Sequence, residues 1–248
     1  QDIRDYVLYI LSTTLTGQNI PKFHIFNGGG RNGKGVLSSF LSFVLGKNFY
    51  NESNPQMILH TARAEDINGA TSAMCQIDYK RVVFWKEPKS GQYFDNEFIK
   101  KITGGDQILI RNMYGNDNFP LNNHLTAICE CNYKNMFHGE VSLAEQQRVR
   151  DVEFPSSFVD NQEEYDKQKQ AGKYVFWCDI QKTNKEQQNR LKLAFLSILL
   201  GYVEQFYKDE FKTDSRCPKR ILDRTKDYMN SNKPIYMLLC LAWEIDDD

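Results

Sequence analysis

The chain carries almost no net charge. Its 31 Lys and Arg stand against 32 Asp and Glu, a net of −1 over 248 residues. No global field therefore draws it to nucleic acid, and any such binding needs a local patch or a ring of copies. The six cysteines (Cys75, Cys129, Cys131, Cys178, Cys217, Cys240) form no CxxC pair and no repeated spacing. That leaves no zinc ribbon or disulfide framework to read, and the thiols read as reduced and intracellular. Cys129 and Cys131 alternate on an apolar run, so they face one side of a strand as core filler. The four histidines are scattered, with no HExxH spacing. No apolar run is long enough to cross a membrane, and none reads as a signal peptide. Internal repeats and low-complexity linkers are missing too. The start at Gln1 and the end at Asp246-Asp247-Asp248 read as the edges of a piece of a longer chain. What remains is 41% hydrophobic and 25% charged, an ordinary globular balance.

One segment stands out against this background. Residues 24–36 read His-Ile-Phe-Asn-Gly-Gly-Gly-Arg-Asn-Gly-Lys-Gly-Val, a glycine-rich loop between an apolar strand and a helical pattern. From Gly28 through Gly33 to Lys34 the spacing is that of a P-loop. Glycines let successive N–H groups turn inward around a phosphate, and the following helix presents its positive end to the same anion. The candidate nucleotide-binding residues are Gly28, Gly29, Gly30, Arg31, Asn32, Gly33, Lys34, Gly35 and Val36, with Lys34 on the β- and γ-phosphates. Gly35 departs from the pattern, because a Ser or Thr there normally offers its hydroxyl to Mg²⁺.

The rest of the chain reads as alternating strands and helices, then helices alone. Ile3, Tyr6, Val7, Ile10 and Leu11 share a helical face; Lys22 to Phe26 is a short strand. Gly33 to Leu45 is helical and stopped by Gly46. Residues 47–80 are mixed, with weak helix near 62–68. Arg81 to Trp85 is continuously apolar after its first residue, as a buried parallel strand requires. Asp95 to Ile102 is a helix ending at Thr103-Gly104-Gly105. Gln107–Tyr114 and Leu121–Cys131 read as two arms of a β-hairpin around the turn cluster 115–118. Helices follow over 161–172, 189–207, 218–232 and 235–243, the second with an apolar periodicity (Leu191 to Leu199) that reads as packing. The expected organisation is an N-terminal helix over 1–20, a nucleotide-binding core over 21–159 and a helical region over 160–248.

Four further residues fit a phosphate-hydrolysing site. Glu87 closes the strand 81–85, where a carboxylate holds Mg²⁺ or polarises the attacking water, and both roles stay open. Asn132 ends the strand Leu125–Cys131; with that strand between the other two, its amide points at the γ-phosphate. Arg148 and Arg150, before a short strand to Phe154, are candidates for an arginine finger that reaches a neighbouring subunit.

These elements together resemble the superfamily III helicases. The resemblance rests on Gly28-Gly29-Gly30-Arg31-Asn32-Gly33-Lys34, Val82 to Pro88, Ile102-Thr103-Gly104-Gly105-Asp106 with Arg111 and Tyr114, Asn132, and Arg148 with Phe154 to Phe158. Within the family the chain is similar to the helicase part of poxvirus-type primase–helicases of large DNA viruses and phages, over roughly residues 1–160. The resemblance implies an α/β P-loop NTPase (AAA+-like) core, with a central parallel sheet flanked by helices and a helical C-terminal region. It implies ATP and Mg²⁺ as cofactors, a homo-hexameric ring with ATP sites between subunits, movement on single-stranded DNA in replication, and an upstream primase domain. It places Glu87 in the Walker B role, Asn132 as sensor and Arg148 as finger, with Arg150 the alternative. It sends the hairpin near 111–122 into the channel, so that Arg111, Tyr114, Asn116 and Asn118 meet DNA. No membrane partner is implied, and a viral protein of this kind acts inside the host cell, in cytoplasm or nucleus at replication sites. A ring-forming NTP-binding assembly factor without unwinding activity is the competing reading, favoured by Gly35 and the mild charge. A small-molecule kinase is the third, opposed by the Thr-Gly-Gly-Asp segment and the hairpin.

Overall fold

A computed structural model describes residues 2–61, 72–112, 114–115, 117–139 and 141–231. Five strands build one sheet: β1 (Phe23–Asn27), β2 (Tyr50–Ser53), β3 (Val82–Lys86), β4 (Thr126–Cys131) and β5 (Val149–Glu153). Their spatial order is β2-β3-β4-β1-β5. All four pairings are parallel. β4 thus lies between β1 and β3, as the placement of Asn132 required.

The strands are apolar on both sides because both faces are covered. Phe23, Ile25, Val83, Trp85, Ala127, Cys129 and Cys131 face one core. Phe26, Val82, Phe84, Ile128 and Val152 face the other. Cys129 and Cys131 are core residues on one side, as their alternation predicts.

The larger helices are α1 (Asp2–Thr13), α2 (Lys34–Phe49), α3 (Asn96–Thr103), α4 (Leu143–Arg148), α5 (Gln162–Gln170), α6 (Lys185–Lys208) and α7 (Lys219–Ser231). Gly46 turns out of α2 at φ 65, where the sequence places a stop, and a short continuation runs to Phe49. Asp95 caps α3 by accepting from the Phe98 N–H. The terminal helices are built into the core. Tyr6, Ile10 and Leu11 of α1 share a cluster with Leu199 and Phe206 of α6 and Ile221 of α7. Tyr228 and Met229 of α7 join the opposite cluster.

The hairpin differs from the sequence reading. Leu109–Ile110 pairs antiparallel with Phe119–Pro120. The apolar run 121–131 is not its returning arm: it crosses a short loop and becomes β4, the centre of the sheet. The helical region also holds a strand the periodicity does not show, Val175–Trp177, parallel to Ser157–Val159. On α6 only one stripe is packed: Leu199 is buried, whereas Leu193 and Ile198 are exposed. The helices expected near 62–68 and over 235–243, and Cys240, lie outside the described residues. Among the described residues no helix is long and apolar enough to cross a membrane.

Candidate nucleotide-binding and hydrolysis site

The carboxyl ends of β1, β3 and β4 meet at one edge of the sheet, where ligands bind in parallel α/β folds. β1 runs into the glycine-rich loop, β3 into Glu87 and β4 into Asn132. The loop is held open by local geometry. A Cβ at Gly28 would collide with the Asn32 side chain and lie 2.5 Å from the Phe154 carbonyl oxygen. Gly33, just before α2, takes φ 85, and Arg31 takes φ 58. A left-handed conformation costs an L-residue on the order of 1–2 kcal/mol, and such strain gathers where a loop must wrap a ligand.

Lys34 is buried. Its Nζ donates to the Gly28 carbonyl at 2.6 Å, to Asn32 Oδ1 at 3.2 Å and to Asn132 Oδ1 at 3.4 Å. The loop lysine and the β4 terminus are therefore in direct contact, ninety-eight positions apart. Burial pushes the ammonium below its ordinary pKa, while Glu130 and Glu87 pull it back up. Asn27 fixes the opposite side of Asn132, donating from Nδ2 to its backbone oxygen at 3.2 Å. The Asn32 Nδ2 atom is buried without a hydrogen-bond partner.

Glu87 is exposed and takes φ 51. Its N–H donates to the Glu130 carbonyl at 2.8 Å, extending the ladder one residue past β3. Glu130 itself was not singled out in the sequence. It sits on β4 opposite Lys86 in register. It is only 4% exposed. Burial pushes its carboxyl up in pKa, and Lys86 and Lys34 work against that. Its Oε2 lies 3.7 Å from Lys86 Nζ, which is itself 2.6 Å from Glu52. Its Oε1 has no partner. The only sequence signal was one acid inside an otherwise apolar strand.

Arg148 and Arg150 have different surroundings. Arg148 precedes β5, at the amino edge of the sheet, so the five-residue strand separates it from its own P-loop, roughly 16 Å at strand rise. Its Nη1 donates to the Lys100 carbonyl at 3.0 Å and lies 3.4 Å from Thr103 Oγ1, closing the last turn of α3. Arg150 is buried. It donates to Asp214 at 2.5 Å and to the Gln147 and Val149 carbonyls. Of the two finger candidates, Arg150 is the one whose guanidinium is engaged inside its own fold. The hairpin stands at the same amino edge as Arg148. Tyr114 is 96% exposed and takes φ 66. Asn118 is exposed beside it, Arg111 is half-buried at the hairpin base, and Asn116 lies outside the described residues.

No protein-family model matches the chain. Curated relatives do. The putative helicase L207/L206 of Acanthamoeba polyphaga mimivirus is 26% identical over 231 residues, covering 92% of this chain and 23% of that protein. Primase D5 of Fowlpox virus is 28% identical over 211 residues, 82% of this chain and 25% of that one. Putative helicase 121R of Invertebrate iridescent virus 3 is 24% identical over 216 residues, 86% and 22% respectively. The chain is similar to helicase and primase proteins of large DNA viruses. It spans about a quarter of the length of these relatives. The C-terminal region of NrS-1 shares the fold, with a TM-score of 0.59 at 12% identity over 92% of this chain and 47% of that one. A second structure of that region gives 0.56 at 14% identity, with 92% and 46% covered. The P-loop NTPase fold, with its central parallel sheet flanked by helices and its helical C-terminal region, is shared with that region.

The residues present fit a nucleoside triphosphate with its metal. The orphaned Asn32 amide is a donor free to meet an anion, and the Lys34 ammonium beside it supplies positive charge. The orphaned Glu130 oxygen is an acceptor awaiting a cation. Beside the loop, a groove of about 930 Å³ runs between Asn32, Leu37, Phe154, Pro155 and Phe158 and helix α1, room enough for a base and sugar.

Proposed function

We propose that this chain is the ATP-hydrolysing motor of a replicative DNA helicase, acting between adjacent copies in a hexameric ring around single-stranded DNA. The observation that carries the reading is the contact between Lys34 and Asn132 at the carboxyl edge of the sheet. The loop amides and Lys34 bind the β- and γ-phosphates. Asn132 positions water and registers whether the γ-phosphate is present. Glu87, exposed at the end of β3, orients and deprotonates the attacking water. Mg²⁺, when bound, neutralises charge on the β- and γ-oxygens. Positioning and charge stabilisation carry most of such a reaction, because the transferred phosphoryl group needs little covalent help.

Arg148 belongs to the neighbour's site. It lies at the sheet edge opposite its own P-loop, so only a copy of the chain can use it there. The hairpin shares that edge, and its exposed Tyr114 offers an aromatic face for a base, a contact that tolerates any sequence. Asn118 and Arg111 add polar contacts, with Asn116 between them in sequence. A primase region elsewhere in the full-length protein and a working place at viral replication sites inside the host cell complete the reading.

A ring-forming assembly factor that binds NTP without unwinding is the second reading, and Gly35 favours it by removing a metal ligand. Hydrolysis measured with and without single-stranded DNA separates the two. A motor accelerates on DNA; the assembly factor does not.

A further inference from the structure

We infer that Glu130 supplies the carboxylate that holds the Mg²⁺ of the bound nucleotide, directly or through one of its waters, leaving Glu87 to the attacking water. The inference rests on the ATP-site reading above. Two positions that ordinarily serve the metal are vacated in this sequence. The residue after the P-loop lysine is Gly35, with no hydroxyl, and the residue before Glu87 is Lys86, where P-loop NTPases with a paired acid at that strand end keep a metal-holding carboxylate.

The missing acid reappears one strand over. Lys86 and Glu130 are register partners on parallel neighbours, so their side chains leave the same face of the sheet. That face is the one α2 covers, because Phe84 and Ile128, two residues back on each strand, share the cluster of Leu41 of α2. Glu130 therefore points under the first turns of the P-loop helix. The Ser38 hydroxyl, near enough to favour the Glu130 carboxylate, donates to the Gly35 carbonyl at 3.2 Å. Lys86 reaches Glu130 only at 3.7 Å and is more closely held by Glu52 at 2.6 Å. One Glu130 oxygen is left buried with no partner. A buried carboxylate oxygen without a partner is costly, and a cation beside the phosphates removes the cost. Around Gly35 no atom would touch an added Cβ within 4 Å, so the space for a metal and its waters exists where the hydroxyl is missing.

The arrangement divides two duties between two glutamates, and the division is measurable. Mn²⁺ binding is followed by electron paramagnetic resonance with ATP present, and nucleotide binding by fluorescence without metal. Glu130→Gln, nearly isosteric, should keep metal-free nucleotide affinity and lose roughly ten- to a hundredfold in Mn²⁺ affinity. Glu87→Gln should keep the Mn²⁺ signal and lose hydrolysis. Adding Gly35→Ser to Glu130→Gln should restore metal binding in part, since it returns the ordinary ligand. Glu130→Asp should fall between wild type and Glu130→Gln, and serves if the amide variant does not fold. Unchanged Mn²⁺ affinity in the Glu130 variants overturns the inference. So does wild-type nucleotide binding that is indifferent to metal, which would make Lys86 the resident cation. A wild type that binds no nucleotide at all overturns the ATP-site reading instead.

Discussion

Lys34 Nζ and Asn132 Oδ1 lie 3.4 Å apart, joining the P-loop lysine to the end of the central strand. The contact exists because β4 is inserted between β1 and β3, so that three strand ends share one edge. An amide there is poised to position water without competing for the lysine's charge. Asn132→Ala should leave nucleotide affinity within a few-fold and lower kcat for hydrolysis about a hundredfold, the usual cost of one pre-placed hydrogen-bonding group. Steady-state kinetics beside fluorescent-nucleotide binding measure both.

Tyr114 projects from the hairpin with 96% of its surface exposed. Stacking of a base on such a ring is worth about 1–3 kcal/mol. Tyr114→Ala should leave the melting temperature unchanged and weaken single-stranded DNA binding by roughly tenfold or more. Fluorescence anisotropy with a labelled oligonucleotide measures the loss, and calorimetry confirms the intact fold.

Arg148 and Arg150 should separate function from stability. Arg150→Ala removes a buried guanidinium that donates to Asp214 and two carbonyls. Breaking a buried pair costs about 3–5 kcal/mol, and the partly exposed Asp214 reduces this to roughly 2–3 kcal/mol. Arg148→Ala loses only a helix-end contact, so its melting point should stay near wild type while hydrolysis by assembled copies falls. Thermal melts and hydrolysis across protein concentration distinguish the two.

His24 adds a pH limit to stability. It is fully buried on β1, 3.4 Å from the Tyr6 hydroxyl. Burial, with Arg150 nearby, pushes its pKa from the ordinary 6.5 down to about 3. The unfolded chain therefore takes up a proton that the folded chain refuses. Stability should be level with respect to this group above pH 6.5, fall between 6.5 and about 3, and flatten below. A shift of that size corresponds to roughly 4–5 kcal/mol. His24→Gln should remove that limb from a series of denaturant melts against pH.

Much of this was legible from residue order. The P-loop shows in its glycine spacing, and β3 in an apolar run too continuous for a strand with one face in water. The ends of α2 and α3 show in Gly46 and Asp95. The hairpin was only half legible, because residues 121–131 form one apolar stretch and nothing local marks where loop becomes central strand. Arg150 gave no local sign of burial, since its partner Asp214 lies sixty-four positions on. Glu130 was hidden for a related reason: a single acid among Ile128, Cys129 and Cys131 looks incidental until the register sets it beside Lys86. What the sequence hides here is pairing across strands.

The most direct test of the account is steady-state ATP hydrolysis with and without single-stranded DNA, for the wild type, Lys34→Ala and Glu87→Gln. The motor account predicts that DNA accelerates the wild type and that either substitution abolishes the rate, with nucleotide binding lost in Lys34→Ala and kept in Glu87→Gln. A wild type that binds ATP yet hydrolyses none of it, with or without DNA, would contradict the account and leave the assembly-factor reading in its place.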